Sequence, residues 1–282
     1  MKNSQKIGFL GVLLLIFSCS TKKDAFLNRN YNALTTQYNI LYNGGVAFNE
    51  GLQEINASYE DDFFELLPIE PLTFKNKKFR LPKLSSSSNK SGKGFQESPE
   101  QEESLTPFDI AEQKAVKAIQ KHSMNIYGKE RNKKIDDAYL LLGKSRYYTE
   151  RFVPAIDAYN YIIANYPNAS LINETKIWRA KAHIRIENEE LAIETLEILL
   201  RKPELPDFIR EEANTTLAMA YTKMDSVHRV RKHLWEATKT SKNTIQKARN
   251  LFVLGQLYGL DKIKDTASMV FQKLINFKQA PY

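Results

Sequence analysis

The sequence predicts an all-α fold, a solenoid of stacked helical hairpins. One pattern of small and bulky residues recurs four times at a nearly constant period, and Gly and Pro are few, at 11 and 10 of 282 residues. The small residue of each first helix recurs at Gly143, Ala180, Ala218 and Gly255, which are 37, 38 and 37 residues apart. An ordinary helical bundle, the alternative, would not repeat these positions in register.

The second helix of each unit keeps the same period. Its small residue and the bulky residue four places later are Ala155 with Tyr159, Ala192 with Leu196, Val230 with Leu234, and Ala267 with Phe271. Small side chains are needed where the two helices of a hairpin cross closely. We therefore expect a solenoid over 105–282, with units at about 135–167, 171–203, 207–240 and 244–276.

The first unit carries the most recognisable pattern. It reads IDDAYLLLGKSRYYTERFVPAIDAYNYIIANYP, with Leu142-Gly143 on its first helix, Ala155 and Tyr159 on its second, and Pro167 at its end. This order resembles the tetratricopeptide repeat, a helix–turn–helix of about 34 residues. The resemblance implies a concave surface lined by the first helices.

Residues 1–18 combine two lysines with a short apolar run, as in a secretory signal peptide. The run ends in Leu-Ile-Phe-Ser before Cys19, the chain's single cysteine. This ending resembles a bacterial lipobox, which predicts a lipoprotein anchored in the outer membrane by acyl chains on Cys19. A plain signal peptide with a chance cysteine is the alternative. Residues 19–29 would then form a lipidated tether.

Residues 30–72 are expected to form a separate N-terminal helical hairpin, because Gly44-Gly45 interrupts an amphipathic pattern. The acidic cluster Glu60, Asp61, Asp62 and Glu65 is interpreted as the solvated start of a helix. Residues 73–104 carry a basic run, the four consecutive serines at 85–88 and an acidic run, which indicates a flexible linker.

Catalytic and metal-binding patterns are missing from the sequence. The four histidines do not have the three- or four-residue spacing that aims two ligands from one helix face. Phosphate loops, dinucleotide fingerprints and nucleophile elbows are also missing. We therefore expect a protein without a metal, a cofactor or an enzymatic activity.

A partner-binding surface follows from the repeat pattern and from the basic stretch around residues 223–249. Basic and aromatic side chains there suit an extended or helical acidic peptide, although a solvated surface without a partner is an open alternative. An export signal makes nucleic acid an unsuitable partner, which leaves an acidic protein surface or the phosphate of lipopolysaccharide for the basic stretch. The expected surface residues are Lys144, Tyr147, Tyr148, Lys181, Arg185, Met219, Lys223, Arg229, Arg231, Lys232, Arg249 and Gln256.

Three further stretches carry a family resemblance. They read YNALTTQYNILYNGG, DDFFELLPIEP and KAVKAIQKHSMNIYGKERNKKIDDAYLLLGKSRYY. Together with the lipobox, they resemble the N-terminal part of the SprE/PorW lipoproteins of the type IX secretion and gliding-motility machinery of Bacteroidetes. The resemblance implies an outer-membrane lipoprotein facing the periplasm, which couples a translocon to periplasmic components by binding proteins. Members of that family are longer, so a fragment or a shortened member is expected.

Two other protein classes fit part of the sequence. A repeat lipoprotein of outer-membrane protein assembly would share the repeats, but should lack the linker at 73–104. A glycan-capturing lipoprotein of the SusD kind should have long insertions between helices and exposed tryptophans. Here Trp178 and Trp235 fall within repeat helices.

Overall fold

The computed structural model describes residues 20–72, 105–240, 243–278 and 281–282. Helices dominate this part of the chain, and no described helix is both long enough and apolar enough to cross a membrane. The helices are α1 (Phe26–Leu34), α2 (Tyr42–Ser58), α3 (Pro107–His122), α4 (Ile135–Tyr148), α5 (Phe152–Asn165), α6 (Ile172–Arg185), α7 (Glu189–Leu200), α8 (Asp207–Lys223), α9 (Val227–Thr240), α10 (Thr244–Leu260) and α11 (Lys264–Phe277).

Three predicted segments lie outside the described residues. They are the signal peptide at 1–18, the lipidation site Cys19 and the linker at 73–104.

Helices α4 to α11 form four successive hairpins, which confirms the predicted all-α hairpin solenoid. The small residues lie where the helices cross, as predicted. A Cβ added to Gly143 would lie 2.3 Å from the Tyr159 ring, and one added to Gly255 would lie 2.6 Å from the Phe271 ring. Real Cβ atoms do not approach rings this closely, so these crossings require glycine.

The N-terminal region differs from the predicted hairpin. Helix α1 continues through a π-helical segment, Thr35–Leu41, into α2, so Gly44 and Gly45 lie inside a helix. A Cβ on Gly44 would lie 2.8 Å from Leu141 Cδ2 of α4. Gly44 therefore permits close helix packing and does not mark a turn, and α2 pairs with α3.

A short β-hairpin joins α3 to α4. Strand β1 (Asn125–Ile126) pairs antiparallel with β2 (Lys129–Glu130), and Tyr127 and Gly128 both have positive φ in the turn. Such a turn matches the twist of a two-residue hairpin loop. The hairpin therefore fixes how the first repeat follows α3.

Residues 59–72 contain no helix and no strand. They extend across the first helices of the solenoid, from α10 at their N-terminal end to α6 and α4 at their C-terminal end. Pro68 and Pro71 favour this extended form. We call residues 59–72 the strap. We call the surface that it covers the groove, which is formed by Tyr147 of α4, Lys181 and Arg185 of α6, and Arg249 and Gln256 of α10.

Candidate functional site

The first anchor of the strap is Asp61, which binds Arg249 of α10. Both oxygens of Asp61 accept hydrogen bonds from Arg249, at 2.9 Å from Nη1 and 2.8 Å from Nη2. The two side chains are only 8% and 3% exposed. Asp61 is therefore a buried ion-pair partner. The interpretation of its cluster as a helix start is wrong, because residues 59–72 form no helix, and only Glu60, Asp62 and Glu65 of the cluster are exposed to solvent.

All five N–H groups of Arg249 have acceptors. Besides Asp61, Nε donates to the Pro68 carbonyl at 2.8 Å, Nη1 to the Tyr282 hydroxyl at 2.5 Å, and Nη2 to the Tyr59 hydroxyl at 3.4 Å. Burial opposes the charge of Arg249, but the hydrogen bonds and charge of Asp61 and Tyr282 outweigh it, so the pKa of Arg249 is raised. Because every N–H of the Arg249 guanidinium has an acceptor, this residue fixes the position of the strap as well as neutralising the charge of Asp61.

Two glutamines bind the main chain of the strap. Gln256 accepts from the Leu67 N–H at 3.0 Å and donates to the Glu65 carbonyl at 2.8 Å. Gln246 donates to the Ile69 carbonyl at 3.5 Å. Main-chain contacts hold an extended peptide whatever its side chains are.

Two apolar side chains of the strap enter the core of the solenoid. Leu67 and Ile69 are 3% and 5% exposed and pack in a cluster with residues of α6 to α11. They lie two residues apart, so an extended chain points both at the same face. Full burial of such a side chain contributes about 1.5–3 kcal/mol. Phe64 of the strap, in contrast, is fully exposed.

The second anchor of the strap is Glu70, which lies between α4 and α6. The Tyr147 hydroxyl donates to Glu70 Oε2 at 2.8 Å, Arg185 Nη2 pairs with the same oxygen, and Lys181 Nζ lies 3.6 Å from Oε1. Burial opposes the charge of Glu70, but Lys181 and Arg185 outweigh it and lower the pKa of this carboxyl. Glu70 is thus held ionised inside the groove.

Trp178 forms the floor beneath the second anchor. The Lys181 ammonium lies 4.6 Å from the centroid of the Trp178 ring and the Lys144 ammonium 5.1 Å from it, and Tyr147 packs edge-on against it at 5.5 Å. Cations over an indole face are stabilised by the ring quadrupole. Lys181 also pairs with Glu212 of α8, at 3.2 Å, so its charge is shared by the strap and the solenoid.

The groove is therefore a face of the repeat array, formed by its first helices, that holds an extended polypeptide. Residues 137–169 match the tetratricopeptide repeat family model. A comparison with curated protein sequences finds no significant match. Tetratricopeptide repeats generally bind protein partners, and proteins built from them are typically scaffolds without catalytic activity.

The repeat array places the predicted surface residues in three environments. Tyr147, Lys181, Arg185, Arg249 and Gln256 contact the strap in the groove.

Two predicted surface residues are packed inside the molecule, and a third pairs within the array. Met219 is 9% exposed, and Tyr148 stacks on Phe108 at 4.9 Å. Met219 therefore belongs to the core of the array, and the partly buried Tyr148 packs α4 against α3. Lys144 pairs with Glu174 at 2.5 Å.

The other four predicted residues lie at the end of α8 and along α9, outside the groove. Lys223, Arg229 and Lys232 are exposed, and Arg231 pairs with Asp261 and lies 5.0 Å from the Tyr258 ring. We call Lys223, Arg229, Arg231 and Lys232 the basic patch. It is a cationic surface that the strap leaves uncovered.

A shallow depression of 220 Å³ adjoins the basic patch. Its lining residues are Arg231, Lys232, Trp235, Glu236, Tyr258, Thr266 and Met269. Trp, Tyr and Arg are enriched among residues that dominate binding energy at protein interfaces. The depression and the basic patch together therefore have the composition of a docking surface.

Sequence reasoning missed the strap as a partner of the groove. Its signal was two carboxylates, Asp61 and Glu70, on either side of an apolar Leu67-Pro68-Ile69 core, which matches the charge of the groove.

No group of three or more side chains able to hold a metal ion is found in the part of the chain that the structure describes.

Proposed function

We propose that the protein is a scaffold of the bacterial cell envelope that recruits an acidic protein partner to its basic patch. The observation that carries this proposal is that Arg231 and Lys232 line the Trp235 depression while the groove cations are already paired. Lys223 and Arg229 are exposed in the same repeat, where Arg229 donates to the Tyr221 hydroxyl at 2.8 Å. A cationic surface accelerates encounter with an acidic partner and fixes its orientation. The aromatic depression beside it supplies apolar contacts that slow dissociation of the bound partner.

The envelope location is supported by the signal-like residues 1–18 and the lipobox that ends at Cys19. Acylation of Cys19 would tether the array to the outer membrane, facing the periplasm, through a short polar segment. The array itself would act by binding, with no catalysis and no cofactor.

The resemblance of the N-terminal stretches to the SprE/PorW lipoproteins supports the choice of partner. We propose that the partners are protein components of the type IX secretion and gliding-motility apparatus, whose translocon and periplasmic parts the scaffold couples. A scaffold that stacks hairpins in one direction suits this role, because separate surfaces of one array can hold separate components.

A pull-down from detergent-solubilised membranes tests the proposal. The bait is the mature chain with a C-terminal tag, as wild type and as Lys223→Glu/Lys232→Glu. The matched control is Lys117→Glu/Lys121→Glu, which changes the same charge at exposed positions of α3.

We expect the wild type and the control to recover secretion-apparatus proteins, and the patch variant to lose at least tenfold of that recovery. Equal recovery by the patch variant would remove the basic patch from the proposal. Recovery of β-barrel assembly factors, or of no envelope protein, would refute the secretion role itself.

A further inference from the structure

The groove and the strap divide one binding site between two parts of the chain. The groove supplies the cations Lys181, Arg185 and Arg249 from α6 and α10, and the strap supplies the carboxylates Asp61 and Glu70. Arg249 is almost completely buried. The strap itself helps to bury this guanidinium, through Asp61, Tyr59 and Pro68. A segment that covers Arg249 in the same way must supply a carboxylate, because a guanidinium buried without a counter-charge is strongly destabilising.

The strap is held in the way that a peptide ligand is held. Side chains of the array bind its main chain at Glu65, Leu67, Pro68 and Ile69. None of these bonds depends on the identity of the strap residue, since each uses a main-chain N–H or carbonyl. Another extended polypeptide with similar side chains could therefore make the same bonds.

The array has a core of its own without the strap. In the cluster that Leu67 and Ile69 join, every other buried member comes from residues 177–274 of the array. The close crossings at Gly143 and Gly255 also involve array residues alone. Departure of the strap would expose a surface of the array without removing the packing that holds its helices together.

We propose that the groove is a binding site for an extended acidic segment of a partner protein, and that the strap is an intramolecular stand-in which this segment displaces. The partner segment carries two carboxylates nine residues apart, as Asp61 and Glu70 are. Between them lie two branched apolar residues at alternate positions, with proline or another extended residue between those two. This site is distinct from the basic patch and goes beyond the scaffold function proposed for it.

Competition with a tethered strap sets the selectivity of the site. A tethered segment acts at an effective concentration of about millimolar order, so it weakens the apparent affinity for any free peptide. Only a segment that matches both anchors competes with it. Exchange also frees the strap, so binding of the partner in the groove changes the surface that the protein presents.

Fluorescence anisotropy with the full chain tests this inference. The probe is a labelled synthetic peptide with the sequence of the strap, residues 59–72. The chain is used as wild type, as the strap variant Asp61→Asn/Glu70→Gln, and as the matched control Glu60→Gln/Glu65→Gln, which removes two exposed carboxylates from the same segment.

We expect the strap variant to bind the probe at least tenfold more tightly than the wild type and the control do. A probe that carries the same two neutralising changes should lose at least tenfold of that affinity. The inference would be overturned if the strap variant and the control bound the probe with equal affinity. It would also be overturned if the neutralised probe bound as tightly as the charged one. Dimers of the strap variant that form without the probe would instead assign the groove to a second copy of the chain.

If circular dichroism shows that the strap variant has lost its helices, the inference is tested with the wild-type chain alone. Hydrogen exchange of the strap is then followed with increasing unlabelled probe, up to millimolar concentration. Displacement should increase exchange at Leu67, whose N–H is bonded to Gln256. Exchange at Leu67 that stays unchanged in saturating probe would overturn the inference.

Discussion

Asp61 of the strap and Arg249 of α10 form a buried bidentate ion pair between residues 188 positions apart in the chain. The pair joins the segment that follows α2 to the last repeat of the array. Because each partner is nearly inaccessible to solvent, neither charge can be hydrated when the other is removed. The pair therefore fixes where the strap begins to lie in the groove.

A double-mutant cycle should measure this coupling directly. Asp61→Asn and Arg249→Met each leave a buried charge unpaired, whereas the double variant leaves none. We expect a coupling free energy of about 2 kcal/mol from urea unfolding of the four proteins. Asp61→Asn combined with Arg231→Met is the control, since Arg231 pairs with Asp261, and it should be additive within about 0.5 kcal/mol. A coupling no larger than that of the control would contradict the assignment.

The second anchor predicts a local effect on the strap. Glu70→Gln removes the negative charge between Lys181 and Arg185, and should weaken strap binding by about 2 kcal/mol, or a factor of about 30 in the open population. Chymotrypsin cleavage next to Phe64 should accelerate accordingly. Glu65→Gln is the control, because that side chain is exposed in the same segment. Cleavage at the wild-type rate in Glu70→Gln would remove Glu70 as an anchor.

The helix crossings predict a matched pair of glycine substitutions. Gly143→Ala places a methyl group against the Tyr159 ring and should destabilise the array by about 1–3 kcal/mol. Gly259→Ala adds the same group in a helix where nothing lies within 4 Å, and should stabilise by about 0.5–1 kcal/mol. Thermal unfolding by circular dichroism compares the two. A Gly143→Ala protein as stable as the wild type would show that this crossing tolerates a Cβ.

The repeat architecture could be predicted from the sequence because its signal is periodic. Gly143 and Gly255 meet Tyr159 and Phe271, the bulky residues that share their period. The continuity of α2 could not be predicted, because two adjacent glycines usually interrupt a helix. Here Gly44 stays helical because close packing of α2 against Leu141 leaves no space for a larger side chain at this position.

Only the array half of the candidate site, the groove, could be predicted from the sequence, and the strap could not. The repeat period places equivalent residues of each first helix on one face, so the positions of Lys181, Arg185 and Arg249 on the face that the strap covers follow from the local pattern. The strap is not part of any repeat, and its pairing with α10 is a contact between distant segments. Complementary charge was its only signal, and an acidic cluster alone does not distinguish a buried partner from a solvated surface.

The pH dependence of the strap follows from the lowered pKa of Glu70. Its ordinary value is 4.5, and Lys181 and Arg185 lower it in the folded protein. A carboxyl with a lowered folded pKa stabilises the fold above its unfolded pKa, and this contribution is lost as the pH falls through the folded value. The stability difference between the wild type and Glu70→Gln should therefore be constant above about pH 5.5 and shrink below about pH 4.5. Urea unfolding of both proteins from pH 3 to 7 measures it, and a difference that grows on acidification would contradict the ionised state of Glu70 in the groove.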